Sequence, residues 1–119
     1  MSYSTPISAT YRFPAVSVTG AATLGRLVGP SGKQGRLVGI SHVVTTGVTV
    51  AASNLIVGTV GDTDAFGTAD VPVAAANAVG TAFTAGAVDV IPANTVILVG
   101  SAGGATAGAV DALVSIDWY

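Results

Sequence analysis

His42 is the only histidine of the sequence, and with Ser41, Ser53 and Asp62 it supplies the side-chain types from which a Ser-His-Asp hydrolase is built. Such a site needs nucleophile and base within hydrogen-bond reach, yet neighbours on a strand face opposite sides, which separates Ser41 from His42. No Gly-x-Ser-x-Gly elbow is present to present a nucleophile. Asp62, Asp64 and Asp70 fall close together, and carboxylates at this spacing could contribute to a calcium site that needs about six to eight oxygens. Aspartates also begin turns by bonding their own backbone, which explains the same pattern without a metal. The glycine-rich stretches 29–35 and 100–108 lack the Gly-Lys-Ser/Thr ending of a phosphate loop. With no cysteine, thiol nucleophiles, disulfides and Cys-based metal sites are excluded. The residues therefore predict no enzyme, no cofactor and no assigned metal ligand.

Composition points elsewhere. Charged residues make up 8% of the chain, against roughly 25% in an ordinary soluble domain, and half of the residues are hydrophobic. Mean hydropathy is +0.72. The apolar half is mostly Ala and Val interleaved with Gly and Thr, a composition of thin strands and not of a Leu-rich bundle. An exterior so poor in ions is expected to be covered by neighbours. Net charge is −2 with only four Lys and Arg, too few to neutralise a run of phosphates, so nucleic acid is not an expected partner. Residues 37–61 carry no formal charge and are long enough to span a bilayer, but Thr45, Thr46, Thr49, Ser53, Asn54 and several glycines punctuate them, so a soluble pair of strands is expected and no membrane. Residues 1–11 lack the basic start and apolar run of a secretion signal.

The elements that would carry these residues read as all-β. Residues 1–14, with Tyr3, Tyr11, Phe13 and prolines at 6 and 14, predict an extended N-terminal arm that either lies on a neighbour or folds back as an edge strand; residues 15–119 predict one sandwich domain. Strands are expected over 21–28, from Arg36 onward, over 55–60, 71–75, 78–85 and 87–91, with a turn-rich surface loop at 61–70. Alternation puts Val38, Ile40, His42 and Val44 on one side of the long strand and Leu37, Gly39, Ser41 and Val43 on the other. His42 on that apolar side is expected to be buried on a backbone partner or set against a second subunit. Residues 95–99 and 109–118 read as a hairpin with a long flexible tip. In its last strand Val110, Ala112, Val114, Ile116 and Trp118 share the core face.

Gly39-Ile40, the segment Gly61-Asp62-Thr63-Asp64-Ala65-Phe66-Gly67 with Val71-Pro72 after it, Ile91-Pro92-Ala93-Asn94-Thr95 and the ending Ile116-Asp117-Trp118-Tyr119 together resemble the capsid decoration, or cement, proteins of tailed bacteriophages. The resemblance covers about residues 35–119 and its motifs are structural. It implies a single jelly-roll-like antiparallel β-sandwich and a virion protein on the outer capsid surface, made in the host bacterial cytoplasm. The implied partners are the major capsid protein, whose subunits it would bridge, and itself, as a homotrimer. Ile7, Tyr11, Arg12, Phe13, Arg26, Arg36 and His42 are the expected capsid or subunit interface. The competing expectation is a fibre or tip domain that holds host-surface glycan through Asp64, Phe66 and Tyr119.

Overall fold

Nine strands follow one another among the described residues: β1 (Ile7–Ser17), β2 (Ala22–Leu27), β3 (Gly35–Thr49), β4 (Ser53–Gly58), β5 (Gly67–Val71), β6 (Val79–Gly80), β7 (Thr84–Ala85), β8 (Ile97–Ser101) and β9 (Ala107–Trp118). The computed structural model describes residues 7–119, and the side chains of all of these but Ala15, Ala22 and Leu24. The first six residues of the expected arm lie outside the described residues. No helix of the described chain is long and apolar enough to cross a membrane.

The strands form two antiparallel sheets, ordered β1-β9-β3-β6 and β2-β8-β4-β5-β7. Pairing is nested. The outermost strands β1 and β9 pair, then β2 and β8, then β3 and β6, and at the centre β4 and β5, with β7 added on the free side of β5. A long hairpin rolled across two sheets produces this order, which is that of a jelly roll. The all-β sandwich read from the sequence is thus the observed fold.

Alternation fills the interior. On β9, Val110, Ala112, Val114, Ile116 and Trp118 are all buried, as expected, against Leu55, Val57, Val71, Ile97 and Val99 of the second sheet. Trp118 closes one end beneath the loop after β2; its ring lies so close to Gly29 and Gly35 that a Cβ at either would collide with it. Its Nε1 donates to the Tyr11 hydroxyl at 3.0 Å.

Four expectations are corrected. Residues 95–99 and 109–118 do not form a hairpin: β8 and β9 lie in different sheets, and 102–106 carry the chain across. Both strands have an apolar face, and crossing between sheets lets the two faces meet in the core. The long strand's facing is broken by a register shift between Leu37 and Gly39, so Leu37 is buried at 8% exposure and Val38 turns out at 47%. One extra residue at a bulge moves everything before it to the other face. The second half of the expected 61–70 loop is β5, where Ala69 and Val71 point inward. The strands expected over 71–75, 78–85 and 87–91 shrink to the end of β5, two-residue β6 and β7, and single bridges at Ala74 and Ile91. Their alanines bring too little bulk to anchor longer ladders.

Residues 7–14 are part of β1, which pairs with β9 from Ile7 opposite Trp118 to Ser17 opposite Ala109. The expected boundary between 14 and 15 therefore falls inside a strand. Pro14, lacking an N–H, sits in the irregular step between Phe13 and Val16.

Candidate functional site

The sandwich presents two outer sheet faces of unlike character. Across the first sheet, Ser8 and Arg36 flank Asp117, Thr10 and Gly39 flank Ser115, and Arg12 and Ser41 flank Leu113. Partners across a ladder project to the same side, so these residues form one polar face. It is tied together across its strands: Ser8 Oγ donates to Asp117 Oδ1 at 2.7 Å, the Thr10 and Ser115 hydroxyls meet at 3.2 Å, and Arg12 Nη2 donates to Asp111 Oδ2 at 2.8 Å. Exposed pairs of this kind contribute about 0–1 kcal/mol each, so the face is held in shape more than it is stabilised.

The outer side of the second sheet is apolar at its centre but largely covered: Leu98 is buried, and the segment after β4 lies over Gly58, where a Cβ would collide with the Asp62 and Thr63 carbonyls. Ile56 is flanked by Gly100 and Thr68, Leu98 by Gly58 and Arg26, and Asn54 by Asp70. A shallow groove of about 410 Å³ runs over Leu98, Gly100 and Ile56 between walls that include Thr23 and Thr63. Val28 and Val96, two residues beyond Arg26 and Leu98 and so on the same side, are both about half exposed. Arg26 and Asp70 stand on this side, and Asp62 and Asp64 line a recess beside Thr68 on it. No ion-pair partner of Arg26 occurs among the described residues, and the Asn54 amide donates to Asp70 Oδ1 at 2.8 Å.

The expected interface residues separate onto three surfaces. Arg12 and Arg36 share the polar face of the first sheet, Arg26 stands on the opposite outer face, and Ile7 is exposed at the start of β1. Tyr11 and Phe13 lie half-buried against the core. His42 is buried at 3% exposure between Ile40 and Val44, packed on Gly80 so closely that a Cβ there would overlap its ring. Burial lowers its pKa below the ordinary 6.5, because it strips hydration from the imidazolium.

No hydrolytic site is assembled. Ser41 lies on the outer face of β3 and His42 on the inner one. The Ser53 hydroxyl donates to the Gly103 carbonyl at 2.8 Å, and the Gly103 N–H donates to Ser101 Oγ at 3.0 Å, so these buried serines hold the β8–β9 crossing. Asp62 and Asp64 share a hydrogen bond that pushes the Asp62 carboxyl above its usual range, while Asp70 stands apart on β5. No group of three metal-ligating side chains occurs among the described residues. The expected glycan set is broken up: Phe66 is in the core at 4% exposure, leaving Asp64 and Tyr119 without it.

Sequence reasoning did not single out the groove over Ile56 and Leu98. Ile56 and Leu98 sit inside continuous apolar runs, where strand alternation is invisible until the inward set is known.

Fold and surface together define a jelly-roll sandwich whose first sheet has a polar outer face and whose second sheet carries a groove over Ile56 and Leu98. No family model matches the chain, and no curated protein matches it. A solved structure that does match is a chain described as "Cyanophage Pam1 capsid asymmetric unit", at 19% identity and a TM-score of 0.46, with 94% of this chain and 81% of that chain covered.

Proposed function

We propose that this chain is a structural virion protein that binds the outside of a phage capsid as a trimer and stabilises the shell by bridging major capsid protein subunits. The observation that carries the reading is the number of large apolar side chains left exposed, Val28, Val38, Val60, Val73 and Val79 among them, on a chain with so few charges: such a surface suits one that neighbours cover. The sequence resemblance to cement proteins supplies the capsid as the partner and three as the copy number. The absence of an assembled nucleophile, base and orienting group among the described residues accords with a role in binding and not in catalysis. In this reading the polar face of the first sheet, with Arg12, Arg36 and exposed Ile7 at its edge, lies toward the capsid. Many modest contacts repeated over one lattice add through effective concentration, so no single contact need be tight.

The test is co-sedimentation of the purified protein with shells of the phage that encodes it. Binding at a fixed ratio to capsid protein, lost on Arg36→Glu or Ile7→Asp, is the expected result. Protein that stays in the supernatant at every concentration overturns the role.

A further inference from the structure

We infer that the free edge of β1 is a self-association edge, to which a second copy of this chain adds its own β1 antiparallel about a two-fold axis at Thr10, joining the two first sheets into one. The inference goes beyond the reading above and depends on neither the capsid nor the trimer.

The bonding phase of β9 shows which backbone groups of β1 are free. On the β3 side, Tyr119 and Gln34 exchange both backbone bonds; on the β1 side, the Val18 N–H donates to the Gly108 carbonyl. Residues of an interior strand bond alternately to either neighbour, so Ile116 and Val114 bond β1 through Ala9 and Tyr11. Ser8, Thr10 and Arg12 therefore direct their N–H and C=O groups away from the sheet, and all three residues are exposed.

The other edges suit such pairing less. β6 and β7 have two residues each, and β2 is broken by a register shift between Thr23 and Gly25. Short or irregular edges resist the addition of a strand. β1 runs in regular register from Ile7 to Phe13, and Pro14, without an N–H, stands in the irregular step that follows. Thr10 is the midpoint of 7–13.

Pairing about Thr10 sets half-exposed Ile7 opposite Phe13 of the partner subunit, and Ala9 opposite the larger Tyr11 of the partner subunit. The outer face of the first sheet carries Arg12, Arg36, Asp111 and Asp117. Arg12 already holds Asp111, and Asp117 lies beside both Ser8 and Arg36. In the joined sheet Arg12 stands in one row with Ser8 and Asp117 of the partner subunit, so a carboxylate flanks it on either copy. A register centred on Arg12 sets the two guanidinium groups opposite each other, which is unfavourable. One centred on Ser8 pairs only residues 7–9 among the described residues. The two-fold contact is isologous and sets an even number of copies: two, or six where the three-fold contact of the proposed trimer is also made.

The chain has no cysteine, so single introduced ones report the register. Residues opposed in a bonded pair have Cα atoms about 5.5 Å apart, within reach of a disulfide. Ser8 and its own counterpart stand four residues out of register, roughly 14 Å apart. Sedimentation without capsids should give the wild-type chain as an even-numbered assembly that dissociates on dilution. Under mild oxidation Thr10→Cys should become a covalent dimer. Ser8→Cys and Arg12→Cys should each stay uncoupled alone and give the mixed dimer when combined, a result that carries the test even where Thr10→Cys fails to fold. A wild-type chain that is monomeric at all concentrations, or an odd-numbered assembly, overturns the two-fold contact, and a trimer would do so while leaving the capsid reading intact. Thr10→Cys that folds but couples no faster than Ser31→Cys in the exposed loop after β2, or Ser8→Cys that couples to itself as fast as Thr10→Cys, overturns the axis at Thr10.

Discussion

His42 and Val50 are the two residues whose setting runs against their chemistry. A buried imidazole is held below its usual pKa of 6.5, so the unfolded chain takes up a proton before the folded one does. Between the lowered folded value and 6.5 the unfolded state binds more protons, and stability must rise with pH through that window and level off above it. Chemical denaturation at a series of pH values should show that rise, and His42→Gln should remove it while leaving the contributions of the aspartates in place. Val50 has φ of +71° and stands at the centre of a three-residue turn closed by the Ala51 N–H on the Thr49 carbonyl at 2.9 Å. This is the rare γ-turn with positive φ, which strains a β-branched side chain. The side chain is exposed and gains no burial in return. Val50→Gly should therefore raise stability by about 1 kcal/mol, read as a higher denaturation midpoint with an unchanged slope.

At the scale of elements, what the sequence makes legible is the pattern of a single strand, and what it hides is the pattern between strands. β9 was readable to the residue because every second position from Val110 to Trp118 is apolar while Asp111, Ser115 and Asp117 mark the outward set between them. The inward set of β3 was misassigned only before Gly39, where a bulge that no residue type announces resets the phase. Arg12, Arg26 and Arg36 look like one basic region because they are close in sequence, but β1 and β3 belong to one sheet and β2 to the other, so they point apart. Phe66 reads as a loop aromatic until β5 is seen to start at the next residue and draw it into the core. The same logic governs the N-terminal segment. β1 covers one whole edge of β9, so removing residues 1–14 strips most of a strand from the sheet and opens the core beside Tyr11 and Phe13. That truncation should be insoluble or bind a hydrophobic dye. A soluble, cooperatively melting 15–119 fragment would show that β1 is dispensable to the fold.

For the molecule as a whole, nesting is the property that matters most. The strands closest to the two ends of the described chain must find each other, Ile7 opposite Trp118 and Ser17 opposite Ala109, before the first sheet exists. β3 cannot complete that sheet alone, since β6 pairs with only His42 and Val43. Contacts of such sequence separation are closed at high entropic cost, and all-β folds dominated by them refold in roughly milliseconds to seconds. Trp118 is a single built-in reporter at the β1–β9 seam, packed on Gly29 and Gly35 and bonded to Tyr11. Stopped-flow refolding should give one slow fluorescence phase that coincides with the gain of β-sheet circular dichroism, because neither sheet is stable without the strand that crosses to the other. Tyr11→Phe removes the indole's partner within that seam, so it should destabilise by about 1–2 kcal/mol and, if the seam closes in the transition state, slow this phase as well as speed unfolding. A fast β-sheet signal that precedes the Trp118 change would mean instead that β4, β5 and β8 assemble first, with β1 and β9 added to a preformed second sheet.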